Sequence, residues 1–96
     1  MAGVNVVAVI AARPGCAGEV EGWLRGLVEP SRKDPGCLRY DLHRSLDEEG
    51  VFVFYETWES RELLDAHLAT PHLAAWRKAA EGLVAGADVK VLEKLA

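Results

Sequence analysis

The sequence predicts an α+β domain of the ferredoxin-like type, with secondary-structure elements in the order β-α-β-β-α-β. Three observations support this. A β-branched run opens the chain and gives way to a helical period, two strand-like segments lie next to each other in the middle, and a second helical region precedes a final strand. Because 96 residues can bury only one modest core, we expect a single domain over residues 1–96.

The first strand and the first helix differ in hydrophobic period. Residues 4–12 are rich in β-branched side chains and end at an Arg-Pro-Gly turn, which predicts a buried strand. From Cys16 to about Arg32 the apolar residues recur at helical spacing. These residues are Val20, Trp23, Leu24, Leu27 and Val28. Pro30 and the following Lys-Asp-Pro-Gly predict the end of this helix.

The two middle strands differ in how many of their faces are apolar. Residues 37–45 place Leu38, Tyr40 and Leu42 on one face and polar side chains on the other, which is the period of a strand. Residues 51–58, VFVFYETW, are apolar on both faces, which predicts a central strand.

The second helix is predicted to be broken in two. Ser60 is a suitable N-cap for its first part, and Thr70 with Pro71 forms a second start signal. The segment DVKVLEKL, residues 88–95, is predicted to be the last strand. Helices on one face leave the apolar side chains of the other face in water, so we expect two copies to pack sheet against sheet as a homodimer.

Charge and hydropathy exclude several classes of protein. The net charge is −4 and no basic stripe is present, so nucleic acid is not an expected partner. The longest apolar run, residues 6–12, is too short to cross a membrane and no signal peptide is apparent, which predicts a cytoplasmic protein. Cys16 and Cys37 lack the spacing of a zinc site and are expected to be free thiols.

Residues 35–76, PGCLRYDLHRSLDEEGVFVFYETWESRELLDAHLATPHLAAW, resemble the antibiotic biosynthesis monooxygenase family, especially its small quinol-monooxygenase-like members. The segments GCLRYDL, YETWES and AHLATPH together carry this resemblance. It implies a dimeric α+β barrel with one pocket per subunit, between helices and sheet. It also implies oxidation of quinol-like or polyphenolic substrates by dioxygen without metal, flavin or haem.

The chain departs from some branches of this family. Polyketide-oxidising members share Trp58 but have Asn where this chain has Phe54 and Tyr where it has Leu64. Haem-degrading members have a Trp near His67 and an iron-binding His near Arg77, which disfavours that branch. An isomerase of a phosphorylated signal shares the His-x-x-Thr-Pro-His segment, so the histidines do not separate it from the quinol oxidisers.

His67 and His72 are the main candidates for proton chemistry. They lie five residues apart with no third His or Cys nearby, so we predict no metal site. His67 lies beside Leu63, Leu64 and Leu68 and is either a core histidine or the base that deprotonates a phenol or quinol. His72, in the first turn of its helix, is expected to lock the helix break, with substrate binding as the alternative.

Aromatic side chains supply the remaining candidates. Phe54 and Trp58 share a strand face that could clamp a planar ring or form part of the core, and Trp76 has the same two possible roles. Asn5 could bind a substrate carbonyl or lie at a solvated strand end. Glu56 is expected to form cross-strand pairs with the polar face of residues 39–43.

Together these patterns favour a cofactor-independent monooxygenase that oxidises a small aromatic hydroquinone or polyphenol with dioxygen. His67 and Trp58 are the catalytic candidates, and the substrate-binding candidates are Phe54, His72, Trp76 and Asn5. Without a metal, a deprotonated substrate is the better electron donor, which explains the need for a base. The alternatives are an isomerase of a small phosphorylated sugar-like signal and a non-catalytic module that binds a planar ligand.

Overall fold

The computed structural model describes residues 3–96, which form a four-stranded antiparallel sheet with three helices. The elements are β1 Val4–Ala12, α1 Ala17–Arg32, β2 Cys37–Arg44, β3 Val51–Trp58, α2 Arg61–Leu68, α3 Pro71–Leu83 and β4 Val84–Leu92. The strand order is β2-β3-β1-β4. The predicted ferredoxin-like order and the break in the second helix are both confirmed.

The core lies between the helices and one face of the sheet. Burial alternates strictly along β3, and the buried side chains of β1 belong to the same face. The buried members are Val6, Ala8 and Ile10 on β1 and Phe52, Phe54, Glu56 and Trp58 on β3. These two strands occupy the middle of the sheet, so the prediction that β3 is central is confirmed. The opposite face of the sheet is not covered by helices, and we call it the open face.

Two apolar side chains predicted to be buried are exposed. Leu38 is 62% exposed because β2 bulges between Cys37 and Arg39, and the extra residue loses its place on the inward face. Trp23 is 38% exposed, since it lies at the edge of the buried helical stripe. Its ring packs beside that of Trp76, with the two ring centres 6.4 Å apart.

The predicted bounds of the last strand were wrong. β4 begins at Val84, directly after α3, and ends at Leu92, whereas the sequence suggested residues 88–95. Its pairing with β1 starts at Ala12 opposite Val84. The Ala-Gly-Ala segment, residues 85–87, shows no apolar alternation, so its pairing could not be recognised from the local pattern.

The break between α2 and α3 is built partly as predicted. Ser60 caps α2, because its Oγ accepts a hydrogen bond from the Leu63 amide at 3.1 Å, and Pro71 is the first residue of α3. Thr70 occupies the N-cap position but does not cap with its side chain. Its hydroxyl instead donates to the His67 carbonyl oxygen at 2.7 Å, which closes the end of α2.

No helix within residues 3–96 combines the length and the hydropathy that crossing a membrane requires.

Gly36 makes a testable contribution to the fold. Its φ of +83° is strained for any other residue, and a Cβ there would lie 2.5 Å from Leu63 Cδ1 and 2.8 Å from Leu63 Cβ. We expect Gly36→Ala to lower the free energy of unfolding by about 2–4 kcal/mol through backbone strain and overpacking. Urea denaturation measures this value.

The matched control for this prediction is Gly22→Ala. Gly22 lies within α1, where a Cβ would meet nothing within 4 Å. Alanine should therefore stabilise the protein by about 0.5–1 kcal/mol through helix propensity. Equal effects of the two substitutions would contradict the steric argument.

Candidate active site

A cavity of about 300 Å³ lies between the sheet and the helices. Its walls are apolar apart from Tyr40, Glu56, His67 and Arg77. The apolar lining comes from all three helices and from β1, β3 and β4. On the β4 side the lining residues Val89 and Val91 are 58% and 37% exposed, so the cavity opens along that strand. A mostly apolar pocket with a few convergent polar groups is typical of a small-molecule site.

His67 presents one ring nitrogen to this cavity. The side chain is buried, and its Nδ1 lies 2.8 Å from Asp34 Oδ2, in the turn between α1 and β2. The carboxylate accepts this bond, so Nδ1 carries the proton and Nε2 keeps its lone pair. Nε2 has no hydrogen bond within residues 3–96, yet it is not one of their buried unpaired atoms. Nε2 therefore has accessible surface, and because His67 is part of the cavity wall we infer that this surface faces the cavity.

His72 is held by the same carboxylate oxygen. Its Nε2 lies 3.0 Å from Asp34 Oδ2 and 3.2 Å from Thr70 Oγ1. Because the Thr70 hydroxyl proton is already donated to the His67 carbonyl, His72 Nε2–H must be the donor in both contacts. One carboxylate therefore binds an imidazole from α2 and another from α3.

Trp58 lies behind His67 rather than in the cavity wall. It is fully buried, and its ring centre is 4.4 Å from that of His67. Its Nε1–H donates to Glu56 Oε1 at 2.9 Å. Trp58 was predicted to be catalytic, but this placement gives it no contact with the cavity. It supports His67 with its face and Glu56 with its edge.

Glu56 was predicted to lie on the polar face of the sheet, and this prediction was wrong. It was expected to pair with the polar side chains of β2, but it points to the helix side, directly opposite Tyr40 in the sheet. Among the polar residues of β2, Asp41 forms ion pairs with Arg32 of α1 at 3.4 Å and with Arg39 at 3.8 Å. The available signal was the strand period, since Glu56 lies two residues from both Phe54 and Trp58.

Burial shifts the pKa values of the cavity groups. Desolvation raises the pKa of Glu56 to about 7, against the opposing hydrogen bond from Trp58. Desolvation lowers the pKa of His67, although the Asp34 carboxylate acts in the opposite direction. The pKa of Tyr40 is raised, mainly by burial and then by the nearby Glu56. At neutral pH the cavity thus contains a neutral imidazole, a neutral phenol and a carboxyl group that exchanges its proton readily.

The six residues predicted to be catalytic or substrate-binding do not all lie at the cavity. His67, Phe54 and Trp76 line the cavity. His72 lies beyond Asp34 and borders a surface cleft between α1 and α3 instead. Asn5 is on the open face, where its Oδ1 accepts a hydrogen bond from the Thr57 hydroxyl at 2.7 Å, so it is not brought to this site.

Asp34, His67 and His72 together offer three possible metal ligands. One donor atom from each lies within 4.8 Å of the other two. The prediction of no metal site depended on the lack of a third ligand near the histidines, and Asp34 supplies one from 33 residues earlier in the chain. Two imidazoles and a carboxylate suit zinc or iron. The same contacts have the lengths and donor-acceptor pattern of N–H···O hydrogen bonds.

The family model for antibiotic biosynthesis monooxygenase matches residues 3–79. The chain belongs to the antibiotic biosynthesis monooxygenase family. It is 30% identical to "Probable quinol monooxygenase YgiN" of Escherichia coli, over 94% of this chain and 96% of that protein. It is 35% identical to "Putative monooxygenase Rv0793" of Mycobacterium tuberculosis, over 77% of this chain and 72% of that protein.

Solved structures agree with this family assignment. The crystal structure of PA3566 from Pseudomonas aeruginosa superimposes with a TM-score of 0.96, at 34% identity, over 100% of this chain and 97% of that one. A Synechocystis relative, uncharacterized protein sll1783, is 35% identical over 67% of this chain, but the match spans only 44% of that longer protein. The chain therefore shares its whole fold with a solved structure to which it is 34% identical.

The raised pKa of Glu56 predicts a pH-dependent stability. Between pH 4.5 and about 7 the folded chain holds a proton that the unfolded chain releases, so this group destabilises the fold as pH rises. We expect Glu56→Gln, which keeps an acceptor for Trp58, to be more stable than the wild type at pH 8 by up to about 3 kcal/mol. The advantage should vanish at pH 4. Denaturation at both pH values measures it.

Glu59→Gln is the matched control for this experiment, because Glu59 is exposed and lies three residues farther along the chain. His67 contributes a trend of opposite sign, since its lowered pKa makes the fold lose stability as pH falls below 6.5. That trend is the same in the wild type and in Glu56→Gln. It therefore cancels when the two free energies of unfolding are subtracted. If the stability difference between Glu56→Gln and the wild type is the same at pH 4 and pH 8, the raised pKa of Glu56 is contradicted.

Proposed function

We propose that this protein is a cofactor-independent monooxygenase that oxidises a small aromatic hydroquinone or polyphenol with dioxygen. The observation that carries the proposal is the arrangement of His67, whose Nδ1–H is held by Asp34 while Nε2 faces an apolar cavity. The family match and the name of the E. coli relative, a probable quinol monooxygenase, support the same chemistry.

His67 acts as the general base in this proposal. Its Nε2 takes the proton of one substrate hydroxyl, and the resulting phenolate transfers an electron to dioxygen far more readily than the neutral phenol. The lowered pKa keeps the imidazole unprotonated and ready to accept at neutral pH. The Asp34 carboxylate stabilises the imidazolium that forms, as in other His-Asp pairs.

The reaction balances without a cofactor. A hydroquinone and one O₂ give a hydroxyquinone and one water, because one oxygen atom enters the ring and the other takes up two hydrogens. Oxidation without insertion would instead give the quinone and hydrogen peroxide. The apolar walls exclude water from the phenolate and the reduced oxygen, which limits premature protonation.

An isomerase of a phosphorylated substrate is the second candidate, and the observation that favours it is Arg77 in the cavity wall. Arg77 is the one cation that lines the cavity within residues 3–96, and its Nη1 already donates to the Leu68 carbonyl oxygen at 2.8 Å. Glu56 and Asp34 place negative charge near the same site. A phosphate dianion would therefore be repelled, and a neutral quinol fits better.

A homodimer and a cytoplasmic location complete the proposal. The open face carries Val7, Val9, Val53 and Tyr55, which are only half-buried in the single chain and offer an apolar surface to a second copy. The two free thiols, Cys16 and Cys37, suit a reducing compartment.

Oxygen uptake by metal-stripped protein with a panel of hydroquinones tests the function, and His67→Ala tests the mechanism. We expect the variant to lower kcat by about 10²- to 10⁴-fold. Free imidazole, which fits the vacated space, should restore part of the rate. Wild-type kcat/KM should rise with pH through the pKa of His67, which lies below its usual 6.5 because the ring is buried.

The outcomes separate the alternatives. Incorporation of ¹⁸O from ¹⁸O₂ into the product indicates insertion, and hydrogen peroxide indicates oxidation alone. A ligand that raises the melting temperature but is never consumed would indicate a binding module. If His67→Ala loses stability but keeps its turnover per folded molecule, His67 is a core histidine and not the base.

The dimer is tested by Val53→Asp. Val53 lies opposite Val9 at the centre of the open face, so a carboxylate there would be buried without a partner in the dimer. We expect light scattering to show dimers for wild type and monomers for Val53→Asp. Leu46→Asp, in an exposed turn where the leucine is 97% accessible, should remain dimeric. A monomeric wild type would refute the dimer.

A further inference from the structure

We propose that Glu56 is a second proton-transfer group of the cavity, and that it selects substrates whose ring carries two hydroxyl groups. This inference rests on the proposed quinol oxidation and deepens it. It assigns a role to a buried carboxyl group that faces the cavity and makes no ion pair with any side chain of residues 3–96.

Trp58 contacts both His67 and Glu56. Its indole face packs on the His67 ring, and its Nε1–H donates to Glu56 Oε1. His67 and Glu56 consequently lie on either side of one rigid side chain, and both line the same cavity. A planar ring with one hydroxyl at His67 Nε2 can thus extend across apolar walls towards Glu56.

One oxygen of Glu56 is left for a ligand. Oε1 accepts the bond from Trp58, whereas Oε2 has no hydrogen bond within residues 3–96 and is not one of their buried unpaired atoms. Oε2 is therefore reached from the cavity. A carboxyl group in an apolar wall destabilises the fold unless it is hydrogen-bonded, and a substrate hydroxyl would supply the missing bond.

The surroundings of Glu56 leave its protonation to be set by the ligand. Across the sheet it faces Tyr40 and Cys37 on β2, both un-ionised, and the apolar Val6 on β1. From the helices, neutral His67 on α2 and Arg77 on α3 line the same cavity. Glu56 forms no ion pair with Arg77, whose Nη1 is bonded to a backbone carbonyl.

The proposed proton transfers are balanced. His67 Nε2 takes the proton of the first hydroxyl. At the second hydroxyl the O–H bond breaks as a bond forms between hydrogen and Glu56 Oε2, and the two electrons of the ring pass to dioxygen. His67 and Glu56 then each return a proton to the reduced dioxygen, which gives the quinone and hydrogen peroxide. In the inserting reaction the O–O bond breaks as one oxygen bonds to a ring carbon and takes up the hydrogen of that carbon, and the protons from His67 and Glu56 both go to the other oxygen, which leaves as water. The carboxylate is regenerated, so Glu56 serves first as base and then as acid.

Anaerobic binding is the direct test, with 1,4-dihydroxynaphthalene and its monomethyl ether, 4-methoxy-1-naphthol, as probes. At pH 8 the Glu56 carboxylate accepts a bond from the second hydroxyl of the diol but not from the ether. We expect wild type to prefer the diol by about 10- to 100-fold, which corresponds to one hydrogen bond to a charged group. Calorimetry or fluorescence without oxygen measures both affinities.

Glu56→Gln should abolish the preference for the diol, so that the affinities for the diol and the ether lie within about twofold of each other. The amide oxygen still accepts from Trp58, and the amide NH₂ that then faces the cavity can donate to the diol and the ether alike. The exposed Glu59→Gln variant should keep the full preference. Circular dichroism and the melting temperature confirm that each variant is folded.

The binding test does not depend on turnover. If the wild type prefers the diol and Glu56→Gln does not, the role of Glu56 stands even if no hydroquinone is oxidised, and only the proposed reaction fails. If Glu56→Gln keeps the preference, or if the wild type has none, the inference about Glu56 is overturned even if oxygen uptake is robust.

Discussion

The Asp34 carboxylate is the contact on which the rest of the site depends. One oxygen atom, Oδ2, accepts N–H bonds from His67 on α2 and from His72 on α3, and so ties both sides of the helix break to the turn after α1. Hydrogen bonds to a charged acceptor are stronger than neutral ones. Asp34 also fixes which nitrogen of each ring carries the proton. Without it, the buried N–H of His67 would lack an acceptor, the lone pair of His67 would have no fixed direction, and the N–H of His72 would keep only the Thr70 hydroxyl oxygen.

The remaining part of the site is assembled around Trp58. A fully buried indole is rigid, so it can hold a ring against its face and a carboxyl group against its edge at the same time. The opposite pKa shifts of His67 and Glu56 then have one common cause. Burial disfavours the charged form of each group, which lowers the pKa of the imidazole and raises that of the carboxyl. At neutral pH the imidazole is therefore unprotonated, and the carboxyl group is close to its pKa of about 7.

Much of the fold follows from local patterns in the sequence, whereas the contacts of Asp34 in the site do not. The strand periods located β1 and β3, and Thr70 with Pro71 marked the helix break, because these signals are contained in a few neighbouring residues. The role of Asp34 was not accessible in this way, since its partners lie 33 and 38 residues away and meet it only after folding. The bulge at Leu38 is likewise a property of the pairing between strands.

The position of Glu56 could be predicted in part from the sequence. The period of β3 already placed it on the same face as Phe54 and Trp58, but its charge suggested solvent and therefore the wrong side of the sheet. In β3 the period of the strand predicts a buried side chain at position 56, whereas the charge of glutamate predicts an exposed one. Such conflicts are expected where function, rather than stability, determines the residue.

The electrostatics of the cavity also limit what can enter it. Asp34 and Glu56 disfavour an anion, and apolar walls disfavour any charged group, so the substrate must arrive neutral. In the proposed reaction an anion exists in the cavity only once His67 has accepted the proton of the substrate, and the imidazolium formed in that step is the countercharge for it. The proposed phenolate would therefore form beside its own partner, between apolar walls. The burial that destabilises the charged forms of Glu56 and His67 would thus, in the proposed reaction, restrict the reactive anion to the time when a hydroquinone is bound.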